Sequence, residues 1–500
     1  MRSFVLAAAL LLATPALAAP QVTIAQGALT GASTDGVDAY KGIPFAAPPV
    51  GELRWRAPQP APHWKGARDA TAFGPACLQH PTEGLMVRAN LPLSEDCLTL
   101  NIWTPQTRAA KLPVMVWIHG GGFTQGASSI PRYDGAALAR HGVVLVSINY
   151  RLGRLGFFAL PALAAEHPNE PSGNYGLLDQ IAALKWLRDN IAAFGGDPKN
   201  ITIFGESAGG VSVEALMTSP PAKGLFAKAI SESGGTFGAP SLSQAQTDAQ
   251  ALATKFNATG PDALKTLRAL PGDQIVGGGD DELGPMIDGQ VLPEDVAAAF
   301  AKGHFAALPF LAGTNSNEGV LLGDGSNAGW LDKSLGDRLG AVRALYERDG
   351  KLSDDQFHRL VFSDEFFAGP TAAFAATVSR GGAPAYVYRF GILTDLARRR
   401  GQSDVGHGGE MVFVFGFGPL AAFAPPQDNA ASAMIQAYWT NFAKTGDPNG
   451  GGLPVWPKFA GPSPATLVLG DKTQAMSDFR KAQLDAVLRD WAARAGLPLP

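Results

Sequence analysis

Charge is scarce in this 500-residue chain, and neither sign dominates. Only 17% of residues are Asp, Glu, Lys or Arg, and the net charge is −4. That balance offers no basic face for nucleic acid or for an anionic membrane. Cysteine is scarcer still, at two residues, Cys77 and Cys97, with no histidine cluster beside them. A structural zinc site is therefore not expected. Beyond the first residues no apolar run is long enough to span a bilayer. No internal repeat and no disordered linker interrupts the sequence. What is present is ordinary globular material, 46% hydrophobic and long enough to bury a large core.

The chain begins with a positive Met1-Arg2, an apolar stretch from Phe4 to Ala13, and Ala16-Leu17-Ala18, which has the A-x-A form of a cleavage signal. Residues 1–18 read as a secretory signal peptide cut after Ala18, leaving 19–500 as the mature chain and predicting export to a periplasm or the medium. In such a compartment the two cysteines are expected to close a surface loop as one disulfide; two free buried thiols are the alternative.

Val114 to Ile118 and Val143 to Asn149 are continuous apolar runs, as expected of strands buried on both faces. Between them, Asp134 to Arg140 is short and helical. Over Glu95 to Trp103, Leu98, Leu100 and Ile102 alternate with polar residues, which predicts a strand. Leu177, Ile181, Leu184, Leu187 and Ile191 give Tyr175 to Phe194 helical spacing, stopped at Gly195-Gly196. Pro20 to about Asp38 alternates weakly, like a small antiparallel meander. Further strands are predicted at Phe226 to Ser231, Leu308 to Gly313 and Ala385 to Phe390, with helices at Ser432 to Lys444 and Ser477 to Ala495. Strand, helix and strand in succession imply an α/β class with a parallel or mixed sheet and crossover helices.

The chemistry centres on Asn200 to Gly210, read as a buried strand, a sharp turn and a helix start. Gly205-Glu206-Ser207-Ala208-Gly209 fits G-x-S-x-G, in which small residues flank a strained serine above a sheet end. A serine needs a base, an acid to orient that base, and donors for the oxyanion. His119-Gly120-Gly121-Gly122 follows a predicted strand and can turn backbone N–H groups inward, with the Ala208 N–H completing the set. For the base, only His304, His358 and His407 follow Ser207. His407 sits among glycines, in a loop that holds the ring at a strand edge; His358 reads as part of a solvated helical face, and His304 comes too early. Glu318, just after the 308–313 strand, is the expected acid. Asp280, Asp281 and Asp288 read as turn residues.

Taken together these pieces resemble the type-B carboxylesterase family, the cholinesterase-like branch of the α/β-hydrolases. The resemblance rests on Gly42-Ile43-Pro44, Glu95-Asp96-Cys97-Leu98, His119 to Phe123, Asn149-Tyr150-Arg151, Phe194 to Pro198, Phe204 to Gly210, Glu318-Gly319, His407 and Trp439 to Ala443, in family order. It implies one α/β-hydrolase domain over 19–500, with a large central, mixed but mostly parallel sheet flanked by helices. It implies a Ser207–His407–Glu318 triad, Gly121, Gly122 and Ala208 as the oxyanion hole, and a Cys77–Cys97 disulfide. Arg54 with Glu95 and Arg151 with Asp197 become structural ion pairs. Glu206 is expected to tune His407, Ser233 to support the site, and Phe123 to line the pocket; Phe413 and Phe415 are expected in the core.

Residues 78–96 contain no Phe, Tyr or Trp, so the stacking site that cholinesterases offer a quaternary ammonium is not expected. The expected function is hydrolysis of small to medium, largely neutral carboxylic esters through an acyl-enzyme, without metal or cofactor, by a monomer or weak homo-oligomer without stable membrane insertion. The same chemistry on one dedicated ester, and a catalytically silent binding module on the same fold, are the alternatives. Specificity is expected in the loops around 80–92, 236–300 and 320–370.

Overall fold

Two apolar pentapeptides make the middle of the sheet. Val114 to Ile118 and Val144 to Ile148 are wholly buried. Val114, Val116 and Ile118 belong to one core, and Met115 and Trp117 to another. Alternate residues of a strand point to opposite faces, so each run packs both sides of the sheet at once. The computed structural model describes residues 19–79, 91–107, 111–235, 238–277, 283–323 and 329–495. The expected signal peptide, Asp280, Asp281 and most of the 80–92 loop lie outside the described residues.

The central sheet has eleven strands: β1 Ala32–Thr34, β2 Val37–Pro44, β3 Thr99–Pro105, β4 Leu112–Ile118, β5 Val144–Ile148, β6 Gly196–Glu206, β7 Lys228–Glu232, β8 Phe310–Asn315, β9 Ala385–Phe390, β10 Ala465–Leu469 and β11 Gln474–Ser477. Their spatial order is 11-10-9-8-7-6-4-5-3-2-1. Strands β5 through β10 pair in parallel across the middle. The pairs at both ends are antiparallel. This is the mixed, mostly parallel sheet expected of an α/β-hydrolase. At the N-terminus, Gln21–Ile24 and Gly27–Thr30 form a hairpin. The expected meander does not continue in that sheet. Its third strand, Ala67–Asp69, joins in parallel, and residues from Ala32 onward enter the central sheet instead.

Helices cover both faces. Helix α1 (Tyr175–Asn190) and α2 (Ala208–Thr218) bury Leu184, Leu187, Val213 and Leu216 in the first core. Helix α3 (Leu242–Lys255) lies beyond them on the same core. Helix α4 (Pro426–Thr445) buries Ile435, Trp439 and Phe442 in the second. Phe413 and Phe415 pack there too, against Phe390 and Trp117. The helix expected to reach Phe194 is α-helical only to Asn190, then tightens into a 3-10 turn that closes on Gly195 at φ 84°. Among the described residues no helix is long and apolar enough to cross a membrane.

Cys77 and Cys97 are joined. Arg54 pairs with Glu95 at 2.6 Å, as expected. Arg151 does not pair with Asp197. Its guanidinium and main-chain N–H converge on Asp179, fully buried on α1, with the closest contact 2.7 Å. Asp197 caps its own turn by accepting the Lys199 N–H. A buried guanidinium takes the carboxylate that packing brings into its own desolvated site.

Candidate active site

Strand β6 ends at Glu206 and α2 begins at Ala208, so Ser207 alone makes the reversal. It does so at φ 57° and ψ −125°, a sparsely populated conformation for a residue with a side chain. The strand and helix then run very close. A Cβ on Gly205 would lie 2.5 Å from the Gly209 carbonyl carbon, and one on Gly209 would lie 2.0 Å from the Ile118 carbonyl oxygen. The two glycines are thus a requirement of contact, as the G-x-S-x-G reading expects. Ser207 is tied down by its own N–H to Glu232 O and by Val211 N–H to its carbonyl, both at 2.9 Å.

Beside it runs the glycine loop. Gly121 and Gly122 adopt φ 111° and 60°, left-handed values that glycine tolerates. Among the described hydrogen bonds, the N–H groups of Gly121, Gly122 and Ala208 donate to none. They line the same cavity as Ser207. His119 is an anchor for this loop. Its Nδ1 meets Gly120 O at 2.9 Å, its ring stacks on Tyr150, and the Tyr150 hydroxyl donates to His119 O. Burial pushes the His119 imidazole down to about 4, so the ring is neutral.

The other half of the site comes from two loops that pair with each other. Glu318 follows β8, and His407 lies in the loop 405–410. A parallel bridge joins Asn317 to Gly406, with Asn317 N–H donating to Val405 O at 2.9 Å. His407 Nδ1 lies 2.6 Å from Glu318 Oε2. Glu318 Oε1 accepts from the Ser233 hydroxyl at 2.6 Å and the Asn315 N–H at 2.5 Å. Burial raises this carboxyl, but the His407 charge and these hydrogen bonds outweigh it and hold it below the ordinary range. Glu318 stays anionic. Residues 411–414 form a short helix after the loop. The expected strand edge is replaced by that helix and the Asn317–Gly406 bridge.

His407 Nε2 faces Glu206 Oε1 at 3.2 Å, an ion-pair contact without hydrogen-bond alignment. Among the described hydrogen bonds none joins Nε2 to the Ser207 hydroxyl. Burial lowers the imidazole, but Glu206 and Glu318 outweigh it, and the ring is raised well above an ordinary histidine. Glu206 is itself pushed up, first by burial and then by Glu318. Behind these groups lie two carboxyls that sequence reasoning missed. Glu232 accepts from Trp439 Nε1 at 3.1 Å, and Glu410 accepts from Asn315 Nδ2. Burial raises both, Glu410 to about 8. Glu410 heads the apolar run Met411 to Phe415, but Glu232 sits between two serines with nothing local to mark it.

The other candidates fall elsewhere. His304 is paired with Glu294 in an exposed position. His358 is only 9% exposed and meets Asp332 Oδ1 at 2.9 Å, so it does not lie on a solvated face. Its helix turns that side inward with Phe357 and Val361. Asp288 Oδ1 gathers the N–H groups of residues 290–292, a turn role as expected. Among the described residues no group of three or more His, Cys, Asp or Glu could hold a metal ion.

Ser207, His407 and the free N–H groups open on a cavity of about 1530 Å³. Phe123, at φ 59°, forms part of its wall with its ring edge-on to Phe157. Other walls come from α3, from residues 283–296 and from Val320, Leu321 and Phe367. A hydroxyl on a strained turn, an imidazole fixed by a carboxylate and three unengaged donors are the equipment for acyl transfer.

The sequence pattern of the Carboxylesterase family matches residues 18–334 and 341–487. The chain is 39% identical to the para-nitrobenzyl esterase of Bacillus subtilis, over 91% of this chain and 96% of that protein. It is 38% identical to the fumonisin B1 esterase of Sphingopyxis macrogoltabida, over 87% of this chain and 83% of that protein. A solved PNB esterase superposes with a TM-score of 0.82 at 36% identity, covering 93% of this chain and 99% of that one. By sequence pattern, relatives and fold, the chain belongs to the carboxylesterase family.

Proposed function

We propose that the chain is an exported serine carboxylesterase acting on small to medium, largely neutral esters. Ser207 is the nucleophile, His407 the general base and Glu318 the group that orients it. The observation that carries this reading is the 2.6 Å contact between His407 and the anionic Glu318, at the wall of the cavity that also holds Ser207. Ser207 Oγ attacks the ester carbonyl carbon while His407 Nε2 takes the hydroxyl proton. The oxyanion sits against the N–H groups of Gly121, Gly122 and Ala208. The intermediate collapses, the C–O bond to the alcohol breaks, and His407 returns the proton to the departing oxygen. Water then repeats the sequence on the acyl-enzyme, releasing the acid and Ser207. Glu206 stabilises the imidazolium of each step, and Ser233 steadies Glu318. Residues 1–18 act as the signal peptide, and 19–500 form one catalytic domain; the Cys77–Cys97 disulfide suits the exported chain.

The test uses p-nitrobenzyl and p-nitrophenyl esters with purified wild type and Ser207→Ala. Wild type is expected to turn over short-chain esters, and an organophosphate to label Ser207. The variant is expected to lose about 10⁴-fold or more in kcat while melting like wild type. Comparable turnover by a folded Ser207→Ala protein would overturn the assignment.

A further inference from the structure

The glycine loop beside Ser207 is held in place from outside itself. Gln79 is half-buried and stands two residues past Cys77, whose disulfide to Cys97 fixes this stretch to the fold. Its side-chain amide faces the backbone of Gly126, at the far end of the loop. Nε2 donates to Gly126 O at 2.9 Å, and Oε1 accepts the Gly126 N–H at 2.8 Å. Nε2 also donates to Cys77 O at 2.9 Å. These contacts leave the amide one orientation, since a flipped one would set its oxygen against two carbonyls. Gln79 is not part of the cavity wall.

Gly126 in turn backs onto the Gly120–Gly121 peptide. A Cβ on Gly126, at φ 116°, would lie 2.5 Å from Gly120 O and 2.4 Å from His119 Nδ1. Gly121 O accepts the N–H groups of Thr124 and Gln125, both at 3.1 Å, which closes the turn between the two limbs. A peptide is planar and trans, so whatever holds the Gly120 carbonyl also aims the Gly121 N–H on the opposite side. That N–H donates to no partner among the described hydrogen bonds, and Gly121 lines the cavity. A run of glycines has little backbone preference of its own, so the aim must come from such outside contacts. Resting on the esterase reading above, we propose that Gln79 is a positioning residue for ester hydrolysis: through Gly126 it holds the Gly120–Gly121 peptide with its N–H toward the oxyanion. Without that hold the peptide can rotate and the donor is lost for part of the time. The loss falls on the transition state, where charge gathers on the oxygen, and not on the bound neutral ester.

The experiment measures kcat and KM for p-nitrophenyl butyrate, and the affinity for an alkyl trifluoromethyl ketone, whose adduct with a serine carries an oxyanion. It uses wild type, Gln79→Met, Gln79→Glu and Ser207→Ala, with folding followed by circular dichroism melts. Gln79→Met keeps the side chain's length without its donor or acceptor. Gln79→Glu still accepts the Gly126 N–H but cannot donate to its carbonyl, and it serves where Gln79→Met fails to fold. Each should lower kcat by about tenfold, less than the roughly 10²- to 10³-fold that loss of a whole oxyanion donor costs. KM should stay within about twofold, the signature of an interaction made only in the transition state. Affinity for the ketone should fall by the same factor as kcat. The acid limb of the pH–rate profile should not move, because His407 sits on another loop. Wild-type kcat in either folded variant overturns the proposal. A loss confined to KM, or a fall in kcat that leaves the ketone affinity unchanged, overturns it as well. If the rates survive Ser207→Ala, the esterase reading falls and takes this one with it. Ser207-dependent hydrolysis that is indifferent to Gln79 removes the Gln79 assignment alone.

Discussion

His407 Nε2 lies 3.2 Å from Glu206 Oε1, and the opposite ring nitrogen lies 2.6 Å from Glu318. One imidazole is therefore clasped by two buried carboxyl groups. The protonated ring cannot accept the Ser207 proton, so activity falls as pH drops through the ring's own pKa. With both carboxyls raising that value, the acid limb of kcat/KM should lie above the ~6.5 of an ordinary histidine. Glu206→Gln should move the limb toward lower pH by about one unit or more. Full pH–rate profiles decide this, and a limb that stays in place in the variant refutes a role for Glu206 in setting it.

Glu318→Gln should leave the fold intact and cut kcat by roughly 10³- to 10⁴-fold, because an amide neither fixes the ring tautomer nor stabilises its cation. Ser233→Ala removes only one hydrogen bond to that carboxylate and should cost about tenfold or less. Equal losses for the two would contradict a supporting role for Ser233.

Gly209→Ala tests the turn itself. Its Cβ would sit 2.0 Å from a backbone oxygen of β4, which no side-chain adjustment can relieve. Destabilisation of about 3 kcal/mol or more is expected, seen as a large drop in melting temperature or loss of soluble protein. A variant that melts like wild type would show the strand–helix approach to be looser than described.

Asp179→Asn strands the buried Arg151 without its counter-charge and should cost about 3–5 kcal/mol. Asp197→Asn, at a half-buried position at the start of β6, should stay within about 0.5 kcal/mol. Urea unfolding of both compares the two partners directly, and a larger loss at Asp197 would reverse the assignment.

Glu410 is raised by burial to about 8 in the folded chain, from an ordinary 4.5. The folded chain keeps a proton that the unfolded chain releases, so stability declines as pH rises from about 4.5 to about 8. Glu410→Gln removes that decline. The variant should gain on wild type across melts at pH 5, 6.5 and 8, by at most about 1.4 kcal/mol per pH unit. A constant difference would mean Glu410 is charged in the fold.

Much of this site could be read from the chain because its demands are local. Gly205 and Gly209 are forced by a single turn, and the apolar runs at 114–118 and 144–148 announce strands covered on both faces. Glu318 and His407 were legible through their order after Ser207 and their place behind a strand or among glycines. Partners fixed only by packing were not. Nothing near Arg151 in sequence distinguishes Asp179 from Asp197, since burial on α1 makes the choice. His358 sits in a charged segment yet faces inward, because Phe357 and Val361 set the helix face. Glu232 and Glu410 belong to no motif, and only burial in the tertiary fold raises them beside Glu206.

The bridge between Asn317 and Gly406 has a consequence for how this protein can vary. It joins the loop bearing Glu318 to the loop bearing His407 through main-chain atoms, which fixes the spacing of the two side chains. Substitutions in the neighbouring cavity wall at Val320 and Leu321 can then redraw which esters fit while the proton-handling pair keeps its spacing. Substrate range is free to drift on a chemistry that is held still.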